Sequence, residues 1–234
     1  MFYRFGESER KGNTLVDMII FVVIFGSIWG FLEATLGGFL HFVHFPYKGA
    51  IMGGIGLSIM TTFVAVGGRA TLLVGVGLVA ALFKLLDAII LKASIFSQFV
   101  VNPATAIMLE AVAFGLIAVP LFRSFRYSVR ARVMAGVMAG YLSIILYAIV
   151  ASIAGMGNWA GIGFQERVYQ ALVDGTGVAV VGTLLVLAGY VVGSRLRPRF
   201  SELRNRQPKL YYVGAAAVVV LCWAIAGVTY AGGF

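Results

Sequence analysis

Residues 30 to 49 read GFLEATLGGFLHFVHFPYKG, which puts Glu33, His41, His44 and Lys48 at the end of a long apolar run in a chain only 12% charged. A carboxylate, two imidazoles and an ammonium so close together are equipped to bind a metal, move protons or hold an organic ligand. His41 and His44 stand at i, i+3, so both can face one ion if the stretch is helical, yet two histidines make an incomplete coordination set. No metal and no cofactor is assigned on that basis. Histidines so placed more often donate hydrogen bonds to an organic ligand or finish a helix end.

Five further ionisable residues, Asp17, Lys84, Asp87, Glu110 and Asp174, also fall within apolar runs. Each costs roughly 2.5–3.5 kcal/mol at mid-membrane, so such groups tend to line a cavity or pair with one another. Glu110 is the sharpest candidate, because it lies deep in an apolar run with no basic neighbour in sequence. Lys84 and Asp87 are three apart on one helix and are expected to neutralise each other. The headgroup region tolerates polar residues at little cost, which is the competing account of Glu33, Asp174 and the histidines. The loop holding Gly155, Gly157, Asn158, Trp159, Gly161 and Gly163 joins flexible backbone to one aromatic plane. It reads as a lid able to stack on a flat ligand, or as interfacial anchoring by Trp159.

The elements that must position these groups are transmembrane helices. The chain has 234 residues, 61% of them hydrophobic, with a mean hydropathy of +0.97, too little polar surface for a soluble globule. Apolar runs of a length that crosses a ~30 Å hydrocarbon layer recur along it, and helices rather than barrel strands are expected. Seven spans are read: 16–39, 49–66, 70–91, 103–122, 133–154, 171–193 and 210–231. Glu7, Glu9, Arg10 and Lys11 precede a run too long for a signal core, so the first span is expected to be retained. Cys222, the one cysteine, leaves no partner for an internal disulfide.

With the N-terminus in the cytoplasm, fourteen basic residues fall on the inner segments and only Lys48, Lys92 and Arg167 on the outer loops. That inequality sets the expected orientation in the cell membrane and accounts for the +9 formal charge without a nucleic-acid partner. Five of the six charges within spans then lie in the outer half, as a pocket opening outward and stopping midway would require. Four acidic groups against one lysine favour a ligand with a positive or strongly hydrogen-donating group, such as a thiamine-like pyrimidine or another amine. The expected organisation is a six-span bundle over 1–196, a basic cytoplasmic linker over 197–209 and an additional C-terminal helix over 210–234.

Gly26, Gly30, Ala34 and Gly38 recur every fourth residue along the first span. They draw a strip without side-chain bulk that another helix can approach closely, either within the chain or from a separate subunit. Ala135, Gly136, Ala139 and Gly140 make a shorter strip in the fifth span.

A short basic N-terminus, this strip, an outer Pro46 followed by Lys48-Gly49, a Gly-rich second span and an acidic residue in the fourth together resemble the S components of energy-coupling factor importers. The likeness is one of layout and covers about residues 14–196. It implies an all-α six-helix membrane bundle, here with a seventh C-terminal helix, that captures a vitamin or related small molecule in an outward pocket closed by the first, third and fifth loops. It also implies a transmembrane coupling protein and cytoplasmic ATPase subunits as partners, with Gly26, Gly30 and Ala34 on the coupling seam. Ligand contacts would carry over to Glu110 and Asp174, with Asn102, Asn158 and Trp159 in the loops. The metal-specific branch uses an N-terminal histidine, which Met1-Phe2-Tyr3 does not match.

No Walker, GxSxG or HExxH pattern occurs, so the expected role is binding and translocation without catalysis. The alternatives are a self-sufficient secondary transporter cycling protons on Glu110 or the Lys84–Asp87 pair, and an intramembrane metal enzyme built on Glu33, His41 and His44. The expected topology is checked by cysteine labelling in a Cys222→Ala background. A cysteine introduced in the 123–132 loop should resist an impermeant reagent added outside intact cells, and one in the 155–163 loop should react. The reverse pattern would invert the orientation.

Overall fold

The computed structural model of the chain describes residues 15–90 and 94–231, and every regular element among them is helical. Helix α1 runs Leu15–Leu32, widens into a π-helical turn over Glu33–Gly37 and ends as α2, Gly38–Phe42. After it come α3 (Lys48–Val66), α4 (Leu73–Ile90), α5 (Gln98–Phe125), α6 (Val129–Ala154), α7 (Phe164–Arg206) and α8 (Pro208–Ala231). Among the described residues six helices are long and apolar enough to cross a bilayer, and α4 adds a shorter apolar stretch, Ala70–Leu85. Exposed apolar side chains such as Ile145, Ile149, Leu184, Val220 and Val228 give the bundle a belt suited to acyl chains.

Each expected span has its helix, and the ends differ where polar residues continue the helical backbone. Helix α5 begins at Gln98, five residues before the apolar run, because Ser97 takes an extended conformation that starts the turn. Helix α7 extends over 43 residues, about 64 Å at 1.5 Å per residue, well beyond the hydrocarbon layer. Glu166 in its first turn and Arg204 and Arg206 in its last match the helix dipole. The basic segment expected as a linker over 197–209 is therefore helical as far as Arg206. Gln207 alone breaks the helix (φ −139°, ψ 66°), and Pro208 starts α8 at the position that tolerates a missing N–H.

The most enclosed helix is α3, and it packs along α7 through glycines. A methyl built on Gly54 would lie 2.8 Å from Val181 Cγ1, one on Gly182 2.6 Å from Leu57 Cδ1, and one on Gly193 2.7 Å from the Thr62 carbonyl oxygen. Thr62 Oγ1 lies within donor distance of the Ser58 carbonyl in its own helix, at 2.8 Å, and of the Gly189 carbonyl across the seam, at 3.0 Å. The shorter strip in α6 serves the same helix: Gly136 faces Thr183 and Gly140 faces the backbone of Ala179.

The strip on α1 packs within the chain at Gly26, Gly30 and Ala34, the first of the two occupants its small residues allow. A methyl on Gly26 would lie 2.5 Å from Val79 Cβ, and one on Gly30 2.5 Å from Phe83 Cγ, both on α4. Ala34 is buried with Phe83 and with Ala226 of α8. Only Gly38 has nothing within 4 Å.

Far from being loosely appended, α8 lies along α1 and touches α4, α7 and the π turn. The Trp223 indole stacks at 4.2 Å on Phe83 and donates through Nε1 to Ser27 Oγ at 3.2 Å. At the other end of α1, buried Asp17 accepts from Arg204 Nη1 and from the Tyr212 hydroxyl, each at 3.4 Å. Phe21 packs its ring edge to face with Phe200 and Tyr211. A charge within the apolar run thus ties the end of α7 and the start of α8 to α1.

Because α4 fills the strip, Gly30→Leu should lower the melting temperature of the purified chain with no partner present. Overpacking typically costs about 1–3 kcal/mol, or roughly 2–4 °C per kcal/mol in a chain of this size. Gly38→Leu should leave the melt unchanged, and equal effects at the two glycines would contradict the packing described.

Candidate functional site

Midway along the bundle, α1, α3, α4 and α5 bring a polar cluster together. Glu110 projects from α5 into the interior, where it is 7% exposed. It is accommodated by two glycines of α3. A methyl on Gly53 would lie 3.7 Å from Glu110 Oε2, and one on Gly56 would collide with Oε1. The same space beside Gly56 is flanked by the Trp29 indole of α1, whose Cζ2 and Cε2 would be 2.5 Å and 2.8 Å from that methyl. No larger residue than glycine fits between carboxyl and indole.

Glu33 supplies the second carboxylate. It opens the π turn that interrupts α1, is half-buried, and lies within electrostatic reach of Glu110. A π turn spaces hydrogen bonds at i→i+5 and shifts carbonyls out of the regular ladder, and such turns recur at functional sites. The buried Lys84 of α4 meets one of those carbonyls, its Nζ 3.4 Å from Glu33 O. The cluster thus holds two carboxylates and one ammonium in a region where unmatched charge is expensive.

Its hydrogen bonding is incomplete. The Leu57 main chain interacts with the Glu110 carboxyl, but Glu110 Oε1 and Trp29 Nε1 are both buried without a partner among the described residues. A buried polar atom left unmatched costs about 1–3 kcal/mol, more if charged. One orphan is an acceptor and the other a donor, and the groups that carry them both border the space beside Gly56. The arrangement can accept a proton or a donor group at the carboxyl without rearranging the helices.

The remaining candidates lie elsewhere. His41 and His44 are exposed beyond α1, where His41 Nδ1 pairs with Lys48 Nζ at 2.8 Å and His44 turns the chain at φ 53°. Among the described residues no group of three or more His, Cys, Asp or Glu side chains is placed to hold a metal. Asp174 is exposed on α7 next to Gln170, so the structure does not bring it to Glu110. The Lys84–Asp87 pairing and the role of Asn158 fall on side chains outside the described residues.

Trp159 is 5% exposed and packs edge to face on Tyr147, with Ala151 and Met156. The indole is a core residue of a small cluster, flanked by the partly buried Val101, Ala148, Ile162 and Ala171. Asn102 lines a cavity of about 290 Å³ between the start of α5 and the end of α6, with Phe96, Gln98, Val101, Ala154 and Met156. Its Oδ1 is buried and unpartnered, and Gly157 is held close to its Nδ2, where a methyl would lie at 3.1 Å.

Trp29, Gly53 and Gly56 were not expected as site residues. Trp29 stands one turn before Glu33, a spacing that puts both on one helix face, and this is the signal that could have found it. The glycines of α3 carry no such signal, since their role exists only where α5 crosses. Compared with family models, curated proteins and solved structures, the chain matches none of them.

Since Trp159 is a packing residue, Trp159→Ala should destabilise the purified chain by about 3–5 kcal/mol, as truncation of a buried aromatic does. Thermal melts followed by circular dichroism will read this. An unchanged melt would return Trp159 to the role of a free lid.

Proposed function

We propose that this chain is the substrate-binding membrane subunit of an uptake system, taking a small molecule from the side of its first, third and fifth interhelical loops, in the manner of an energy-coupling factor S component. The observation that carries this reading is the Asn102 cavity. It lies between the loop preceding α5 and the loop following α6, the third and fifth connections, and Asn102 in its wall holds an amide oxygen buried without a partner among the described residues. Two amides, Asn102 and Gln98, with the exposed Phe96 ring suit a small ligand that offers hydrogen-bond donors and a flat face. Glu110 lies eight residues deeper on the same helix, about 12 Å along its axis, and adds a carboxyl group below the entrance.

A coupling protein with its cytoplasmic ATPases would complete such a system. The glycine strip of α1 does not support docking there, since α4 and α8 cover it, so a coupling protein would meet another face. The buried, unmatched Glu110 favours a second reading, a self-sufficient transporter in which that carboxyl cycles a proton. Reconstituted vesicles holding only this chain separate the two: substrate counterflow without ATPase subunits would establish the second.

Mass spectrometry of molecules that co-purify with the chain identifies the substrate class, and calorimetry with that compound tests the site. Asn102→Ala should weaken binding at least about tenfold, the loss of one to two hydrogen bonds. Asp174→Asn should leave affinity unchanged. Equal affinities in the wild type and Asn102→Ala would remove the cavity from the binding path.

A further inference from the structure

We infer that Glu110 is a proton-binding centre reached from the loop between α2 and α3 by way of the π turn, so that the chain takes up and releases one proton whether or not it serves a larger uptake system. Three independent features of the geometry converge on this. The carboxyl is more than nine-tenths buried, yet one oxygen has no donor among the described residues. Trp29, wholly buried and with its own N–H unmet, flanks the space beside that oxygen. A second carboxylate, Glu33, lies within electrostatic reach of Glu110 and stands on the only π turn among the described residues.

The choice of a proton follows from space. An alkali-metal ion needs several oxygen ligands around a cavity, whereas the gap between Glu110 and Trp29 is so tight that only glycine fits at position 56. A proton needs no volume. It forms an O–H bond on the carboxyl as one breaks in hydronium or in a protonated Glu33, and the charge of the carboxylate is cancelled in place.

Exposure is graded along the route. His41 and Lys48 are in contact with each other at the exposed end, and Lys84 acts electrostatically on His41. Lys84 touches the backbone of half-buried Glu33, which in turn lies within electrostatic reach of buried Glu110. The helices packed against α5 are α3, α4 and α6. Among the described side chains, Glu33 is the charged group within electrostatic reach of Glu110 and Lys84 touches the Glu33 backbone, while Gly53, Gly56 and Leu57 of α3 present no titratable group.

Trp29 is a built-in reporter. Tryptophan emission of the full purified chain, followed against pH in choline chloride, should contain a titrating component absent from both Trp29→Phe and Glu110→Gln. Glu33→Gln should keep the component and move its midpoint toward acid by more than half a pH unit, because the neighbouring negative charge is gone. A matched thermal melt of Glu110→Gln establishes that the variant is folded. If that variant fails to fold, the Glu33→Gln shift decides the matter alone. An identical titration in wild type and Glu33→Gln, or one that survives Glu110→Gln, overturns the inference. So does a component that follows sodium or potassium at fixed pH, which would make the occupant a metal ion. No substrate is needed, so the result stands apart from the fate of the uptake reading.

Discussion

Close backbone approach is the constraint on which the rest of the structure depends. In a bilayer, apolar side chains gain nothing by leaving lipid for each other, so helices associate where small residues let backbones meet. Helix α3 and helix α7 do this over most of their shared length through Gly54, Gly182, Gly189 and Gly193, and α6 joins through Gly136 and Gly140. The same device brings α4 against α1 at Gly26 and Gly30. With the helices so near, a side chain from a third helix reaches the interior only where another glycine yields, as at Gly53 and Gly56 under Glu110.

Polar groups inside this packing divide into two kinds. At one end of α1, Asp17 is matched by Arg204 and Tyr212, and the charge becomes a fastener for the last helix. Ser27 and Trp223 do the same in the middle of α8 with a neutral pair. At Glu110 the matching is incomplete, although the protein could have carried an apolar residue there at lower cost. A structural fastener is satisfied by its own chain, whereas a group that acts on something else keeps a valence open. That difference separates Asp17 from Glu110 more firmly than depth alone.

The C-terminal helix changes how an S-component-like layout is understood here. Its indole and Ala226 cover the face of α1 and α4 next to the strip, so that lateral surface is already taken within the chain. It also touches the π turn that carries Glu33. Helix α8 is the least enclosed of the long helices, held by aromatic contacts and by the Asp17 cluster rather than by a continuous glycine seam. The geometry of the acidic site is thus bounded laterally by the most peripheral element.

From sequence alone, the helical class, the number of apolar spans and their order were legible, because hydropathy over some twenty residues is a local property that burial in lipid enforces. Glu110 was legible as an exceptional residue for the same reason: a lone carboxylate in an apolar run is costly wherever the helix packs. The extent of α7 was not, since SRLRPRFSELRNR is polar yet fully able to form a helix. What lies opposite a small-residue strip is set by chain crossings far apart in sequence, so only the tertiary structure decided that Gly26 and Gly30 receive α4. It likewise decided that Trp159 is core, that Asp174 stands apart, and that Trp29, Glu33 and Gly56 surround Glu110. Each of these depends on which helix faces arrive at one point, and that information is spread over four helices and is contained in none of them singly.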